Sequence, residues 1–341
     1  MLTTSNKNKQ SLRFGVIGCS RISQKSVLPA MLESRFAELV MIGSRSKEKA
    51  AAFAEQFHSA SYGNYEDVLR NKNVEAVYIS LPIALHEKWV MKATKAKKHV
   101  LCEKPAATTF SSAKKMVGAA RKNKVRLMEG LMFRYHPQHA KVKELIKRGV
   151  FGELLKFDGC LAVPMPDKNN SILQASLGGG YYNDAAPYPI YASRMIFGEE
   201  PISVACHLVI DRRRKIDTKS DMLLEFPDGK SAFISTAIGS YYQSTYSVLG
   251  SKAYAKVARA YAVPKNWTTK IYLEKNDKTT EIKIEPADHF KLMIDDFSKE
   301  ILRGDASAKD YEDDLLAQAR ILEAGRVSHR EKRIVYLREF K

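Results

Sequence analysis

Glu103-Lys104-Pro105 closes an apolar run, His99-Val100-Leu101-Cys102, that reads as a buried strand. In an open parallel sheet, ligands bind outside the carboxyl ends of the strands. An amine held at such an end between an acid and a proline is therefore placed to meet a ligand. Three other segments share that character. A glycine turn at Gly18 follows the first predicted strand, Ser44-Arg45-Ser46 follows the second, and Asp184 and Tyr188 come after the triple glycine Gly178-Gly179-Gly180.

The first two of these segments suit a phosphate-bearing cofactor. In a dinucleotide fingerprint, glycines let the backbone approach a pyrophosphate and let the helix pack closely. Here only Gly18 is glycine, and Ser20 and Ser23 take the other two places, with Arg21 and Ile22 between them. A serine still donates to phosphate, and a helix N-terminus offers free N–H groups. NAD enzymes place an acid at the second strand end for the ribose 2′-hydroxyl. This chain has Ser44 and Arg45 there, with Lys49 one turn on, which suits a 2′-phosphate and predicts NADP(H) in preference to NAD(H). Solvated charges at a helix start are the alternative. Leu81, Pro82 and His86 follow a strand ending at Ser80 and are expected to line the nicotinamide half of the cleft; His86 alternatively opens a helix toward water.

The elements that position these groups fall into two patterns. Short apolar strands over 12–17, 38–42, 76–80, 99–102 and 125–129 alternate with amphipathic helices, including 46–57 and 86–96, which predicts βαβ units and a doubly wound parallel sheet, hence an α/β domain. After a helix over 139–148 the texture changes. Segments 151–163, 203–210, 222–226 and 231–238 read as strands of a mainly antiparallel sheet, with Pro227-Asp228-Gly229 a turn and one helix inserted after the triple glycine. Helices over 290–302 and 311–328 and a short strand over 333–337 close the chain. The expected organisation is a disordered tail over 1–10, a dinucleotide-binding domain over 11–131 and an α+β domain over 132–341.

Composition narrows the class. The chain has 341 residues, 45% of them hydrophobic and 28% charged, with 56 basic against 38 acidic side chains. The resulting net charge of +18 favours anionic partners, and phosphorylated small molecules fit it better than nucleic acid, since the charge is spread along the chain. The densest run, Arg212-Arg213-Arg214-Lys215, is expected to be a solvated turn. No apolar run approaches a membrane span. Four well-separated cysteines without metal-ligand spacing predict no metal site and a cytoplasmic setting.

Together, the glycine turn at Gly18, "SRSKEKA" from Ser44, "LPIALHEKW" from Leu81, "KHVLCEKP" from Lys98 and "GGGYYNDAAPYPI" from Gly178 resemble the glucose-fructose oxidoreductase / inositol dehydrogenase / rhizopine-catabolism family over essentially the whole chain. The resemblance implies a Rossmann domain followed by an α+β domain with a large open sheet often used for oligomer contacts, and so a homo-oligomer, dimer or tetramer. "LMEGLMFRYHPQH" from Leu127, with "AYAVPKNW" and "PADHF" further on, resembles the sugar ketoreductases of deoxysugar biosynthesis. That likeness implies a keto-sugar substrate, with a nucleotide diphosphate attached. Dehydrogenases of free sugars, inositols or dihydrodiols are the enzyme alternative, and a dinucleotide-sensing regulator without turnover is the alternative of another class.

The family pattern places its catalytic lysine at Lys104, beside Glu103, and its Asp-x-x-x-Tyr pair at Asp184 and Tyr188. It implies Tyr188 as proton donor to the ketone, Lys104 polarising the carbonyl and stabilising the tyrosinate, and Asp184 orienting substrate hydroxyls. Ala186-Pro187 departs from the usual pattern. Proline breaks a helix interior but is tolerated in a first turn, so the helix is expected to start near Ala186 with Asp184 on the preceding loop. The resemblance also puts Arg134 and His136 at the cleft as substrate contacts, His136 being either an alternative acid or merely the start of the next helix, and it suggests a cis peptide before Pro105.

Overall fold

The computed structural model describes residues 11–304 and 310–340; the tail expected over 1–10 lies outside them. Six strands form one sheet: β1 (Leu12–Ile17), β2 (Ala37–Gly43), β3 (Ser61–Gly63), β4 (Ala76–Ile79), β5 (His99–Glu103) and β6 (Leu127–Gly130). Their order is β3-β2-β1-β4-β5-β6 and every pair is parallel. Apart from the short edge strand β3, the strands are apolar and almost fully buried because helices cover both faces. The connecting helices are α1 (Leu28–Glu33), α2 (Lys47–Gln56), α3 (Tyr65–Arg70), α4 (His86–Lys95) and α5 (Phe110–Asn123). Chain order reverses between β1 and β4, and that switch point opens the crevice in which such sheets bind ligands.

After α6 (Pro137–Lys147), nine strands build a second sheet: β7 (Leu154–Val163), β8 (Ser203–Asp211), β9 (Ile216–Glu225), β10 (Ser231–Ile238), β11 (Gln243–Gly250), β12 (Tyr254–Val257), β13 (Thr269–Lys275), β14 (Lys278–Ile284) and β15 (Val335–Tyr336). Their order is β14-β13-β12-β11-β7-β10-β9-β8-β15, antiparallel throughout except for the central β7–β10 pair. The parallel pair brings the carboxyl ends Val163 and Ile238 to the same sheet edge. The α/β and mainly antiparallel architecture is as the sequence predicts. The basic run Arg212–Lys215 forms the turn between β8 and β9, and all four of its residues are exposed, as the sequence predicts for a solvated turn.

The two short helices α7 (Tyr181–Ala185) and α8 (Pro187–Phe197) lie on this second sheet. The terminal helices α9 (His289–Arg303) and α10 (Tyr311–Glu331) reach back to the first: α9 packs on β1 and α1, α10 on α5 and β6. A buried ion-pair cluster ties this junction. Arg126 at the start of β6 meets Glu300 of α9 at 3.1 Å and Glu312 of α10 at 3.1 Å, and Glu312 also accepts from the Leu127 N–H.

Three histidines are enclosed where α6, α9 and the second sheet meet. His136, His139 and His289 are each at most 2% exposed. Burial holds their pKa values down, to about 4 for His136 and about 3 for His139 and His289. They are neutral in the fold, whereas the unfolded chain protonates them below the ordinary value of 6.5. Stability is therefore lost as pH falls from roughly 6.5 toward the folded pKa values, by about 1.4 kcal/mol per pH unit for each histidine. Against a total stability of about 5–15 kcal/mol, three such groups give a steep acid transition. Thermal melts should show the Tm dropping sharply between roughly pH 6 and 4.5, and a Tm constant over that interval would contradict the neutral-histidine core.

Candidate active site

The glycine turn after β1 is shaped for close approach. Gly18 has φ +111°, and a Cβ there would lie 2.9 Å from Leu81 Cδ2 and 3.1 Å from the Ser80 carbonyl. Ser23 occupies the third fingerprint place fully buried, bonding Ser80 Oγ at 2.7 Å and the Gly18 carbonyl at 3.3 Å. A small residue with its hydroxyl satisfied thus does the packing work of the missing glycine. Ser20, Arg21 and Ile22 face the cleft. These features fit the backbone approach that a dinucleotide pyrophosphate needs.

At the end of β2, Ser44 and Arg45 part company. Ser44 is buried and its Oγ accepts from the Ser46 N–H at 3.3 Å, so it shapes the turn that leads into α2. Arg45 is exposed, beside Tyr65. Ser46 caps α2 by accepting from the Lys49 N–H, and the Lys49 ammonium is exposed over the Phe53 ring. No acidic side chain follows β2 before Glu48.

A cleft of about 520 Å³ opens between the two sheets. Its first-sheet wall includes Leu81, Pro82, His86, Glu103 and Lys104, all expected there, together with Ser80. His86 opens α4, yet it is buried, with ring nitrogens 2.8 Å from the Leu81 carbonyl and 3.1 Å from that of Pro105. It ties together the loops after β4 and β5 and does not face water. Glu103 accepts from the Tyr78 hydroxyl at 2.6 Å, and burial raises its pKa. The Lys104–Pro105 peptide is cis. The turn is anchored from β6, where Glu129 accepts from the Ala106 N–H at 2.7 Å.

The opposite wall carries the second pair of groups. Ala186 is helical (φ −61°, ψ −29°), its N–H reaching the Tyr182 carbonyl and its carbonyl accepting from Ile190, so α7 runs on into α8 across Pro187. Proline is accommodated because it stands at the first position of α8, where the N–H has least to do. Asp184 is thus helical, one turn before Tyr188 on the same face, and not on the preceding loop as the sequence suggested. The helix starts early because Gly180, at φ +119°, lets the chain turn against Asp217, whose carboxylate accepts from the Tyr182 N–H.

Lys104 joins the walls. Its Nζ donates to Asp184 Oδ1 at 2.7 Å and to the Asp184 carbonyl at 2.7 Å, and lies 4.9 Å from the centre of the Tyr188 ring. Its side chain is 11% exposed while that of Asp184 is 44% exposed, so one face of the carboxylate remains open to the cleft. Burial disfavours the ammonium, but Asp184, Tyr188 and Glu103 outweigh it and hold the Lys104 pKa above its ordinary value. Burial pushes Tyr188 up to about 12, with Lys104 pulling the other way. Its ring rests on Phe133 and Tyr261, and its hydroxyl meets the Met132 sulfur at 3.7 Å.

Arg134 and His136 do not join this cleft. Arg134 turns inward, donating to the Tyr191 hydroxyl at 2.6 Å, Asp314 at 2.9 Å and the Tyr135 hydroxyl at 3.0 Å. His136 caps α6, accepting from the Gln138 N–H, and faces the His289 ring. With its pKa near 4 it is no acid at neutral pH. The sequence reading missed the strap after β7, where Pro166, Asn170, Ser171, Ile172 and Leu177 line the cleft, and also missed Met132, Ile238 and Phe290. The triple glycine was the available signal, since it demands a chain folded back on itself.

The description "Oxidoreductase family, NAD-binding Rossmann fold" matches residues 12–131, and "GFO/IDH/MocA C-terminal domain" matches 139–256. The dTDP-3,4-didehydro-2,6-dideoxy-alpha-D-glucose 3-reductase of Actinomadura kijaniata is 31% identical, over 95% of this chain and 97% of its own. The chain belongs to the GFO/IDH/MocA oxidoreductase family. It is therefore an NAD(P)-dependent oxidoreductase by family. A solved structure of KijD10, a 3-ketoreductase from Actinomadura kijaniata in complex with NADP and TDP-benzene, superposes with TM-score 0.90 at 30% identity, over 94% of this chain and 98% of that one. The chain is also similar to the D-xylose 1-dehydrogenase (NADP(+)) 2 of Haloferax volcanii, 27% identical over 89% of this chain and 93% of its own. Among the described residues, no helix is long and apolar enough to cross a membrane.

Proposed function

We propose that the protein reduces a keto-sugar carried on a nucleoside diphosphate, using NADPH. The observation that carries this reading is the Lys104–Asp184–Tyr188 constellation at the mouth of a dinucleotide-type sheet. The relatives named as dTDP-sugar reductases support it. So does the cleft itself: Met132, Val163, Ile172, Leu177, Ile238 and Phe290 give it apolar walls that suit a deoxygenated sugar ring better than a polyol. The four cysteines are free, in keeping with a reducing cytoplasmic compartment.

The bound nicotinamide would supply hydride from its C4, held by the Gly18 turn and the loops after β4 and β5. Tyr188 stays protonated at neutral pH and donates its phenolic proton to the carbonyl oxygen as hydride arrives. The Lys104 ammonium stabilises the tyrosinate left behind and polarises the carbonyl. Asp184 fixes that ammonium with one oxygen and offers its exposed face to a substrate hydroxyl.

Arg45 and Lys49 would receive the 2′-phosphate, since no acid stands at the end of β2 itself. Fluorescence titration should then show NADPH bound at least roughly tenfold more tightly than NADH, with Arg45→Ala removing most of that margin, as expected for one charge-assisted contact of about 1.5–3 kcal/mol. Equal affinities for the two cofactors would reject the 2′-phosphate assignment, and failure of both to bind would reject the reductase itself.

A further inference from the structure

The carboxyl ends of β7 and β10, Val163 and Ile238, form one wall of the cleft. Along the same sheet edge, β11 begins just after Tyr242 opposite the end of β7, and the β12–β13 connection carries Arg259, Lys265 and Trp267. The Arg259 guanidinium lies 4.2 Å from the Tyr242 ring centre and 5.1 Å from that of Trp267. It is fixed there: Nε donates to the Ala262 carbonyl at 3.0 Å, and Gln138 holds the Arg259 carbonyl at 2.9 Å. Among the described residues no carboxylate is paired with it, the Tyr242 hydroxyl is buried without a partner, and Trp267 is 53% exposed.

We propose that this platform is the subsite for the nucleoside diphosphate half of the substrate, Arg259 meeting the diphosphate and Trp267 stacking on the base. The proposal rests on the keto-sugar reading above. From β7 to β12 is two strand spacings, roughly 10 Å, about the reach of a diphosphate linking a sugar in the cleft to a base on the platform. A planar cation held over aromatic rings presents its N–H edge to phosphate oxygens, and an exposed indole face accepts any base by stacking. Lys265, on the same loop, is paired to Glu33 at 2.9 Å on the exposed rim, so Arg259 is the cation left to meet the diphosphate there.

The test uses the NADPH-saturated protein, so that the dinucleotide groove is filled, with thymidine 5′-diphosphate as the probe. The chain has two tryptophans, and a Trp89→Phe background leaves Trp267 as the sole indole reporter. Saturable quenching is expected. Arg259→Met and Trp267→Ala should each weaken the nucleotide by roughly tenfold or more by calorimetry, while NADPH affinity and near-UV dichroism stay unchanged. Should either truncation disturb the fold, Arg259→Lys and Trp267→Phe replace them, the first expected to weaken binding and the second to retain it. Absence of saturable binding, or equal affinity in the folded variants, overturns the subsite. Keto-sugar turnover with NADPH in that case leaves the reductase reading standing, whereas loss of NADPH binding by the unmodified protein removes the reading on which the subsite rests.

Discussion

Replacing Lys104 by Met is expected to lower kcat for ketone reduction by roughly a thousandfold while leaving the Kd for NADPH within about threefold. The ammonium is 2.7 Å from Asp184 and 4.9 Å from the Tyr188 ring centre, and its own side chain is largely buried. Without it, Tyr188 must shed its proton beside an uncompensated Asp184 and Glu103, both of which push its pKa higher. The tyrosinate formed in the transition state then loses the ammonium that attracts it. Stability should change by less than about 2 kcal/mol, because the exposed face of Asp184 lets water solvate the abandoned carboxylate. Stopped-flow NADPH oxidation with a keto-sugar, alongside cofactor titration, separates chemistry from binding. A variant that keeps more than about a tenth of the wild-type kcat would remove Lys104 from the chemistry.

Much of this site was legible because it sits at strand ends, where local sequence decides both the element and the direction in which its last residue points. The apolar runs that become β1, β4 and β5 are unmistakable, and Gly18 and Lys104 follow from where those runs stop. What failed was of two kinds. β3 is three residues with an exposed central tyrosine and carries no apolar signature of its own; it exists because β2 offers it a parallel edge. The parallel β7–β10 pair and the packing of α9 and α10 on the first sheet join residues far apart in sequence, which no local pattern reports.

The misread side chains follow the same division. Arg134 and His136 stand just beyond the domain junction, close in sequence to the cleft. Yet their direction is set by α10 and α9, which supply Asp314 and His289 from far along the chain. Asp184 was doubted for a local reason, Pro187, and was rescued by a non-local one, the carboxylate of Asp217 that secures the first turn of α7. Sequence spacing located the chemistry; long-range packing decided which polar groups were free to perform it.

Tyr188→Phe should cost kcat a factor of roughly 10² to 10⁴, the usual contribution of a positioned general acid. The substitution keeps the ring on Phe133 and Tyr261 and forfeits a weak contact to the Met132 sulfur and the hydroxyl's interaction with Lys104, which retains Asp184, so folding stability should move by less than about 1 kcal/mol. The pH dependence gives a sharper test. With its pKa near 12, Tyr188 is protonated throughout the neutral range, so reduction should be independent of pH from roughly 6 to 9. The reverse oxidation needs the phenolate, and its rate should climb with pH over the same interval. In Tyr188→Phe that climb should vanish, leaving a residual rate set by water. A limb near pH 6.5 in reduction would instead point to a histidine acid, which the neutral, enclosed His136 cannot be. Because Lys104 acts partly through the Tyr188 anion, adding Lys104→Met to Tyr188→Phe should cost less than the sum of the two single effects; full additivity would mean that the ammonium acts on the carbonyl alone.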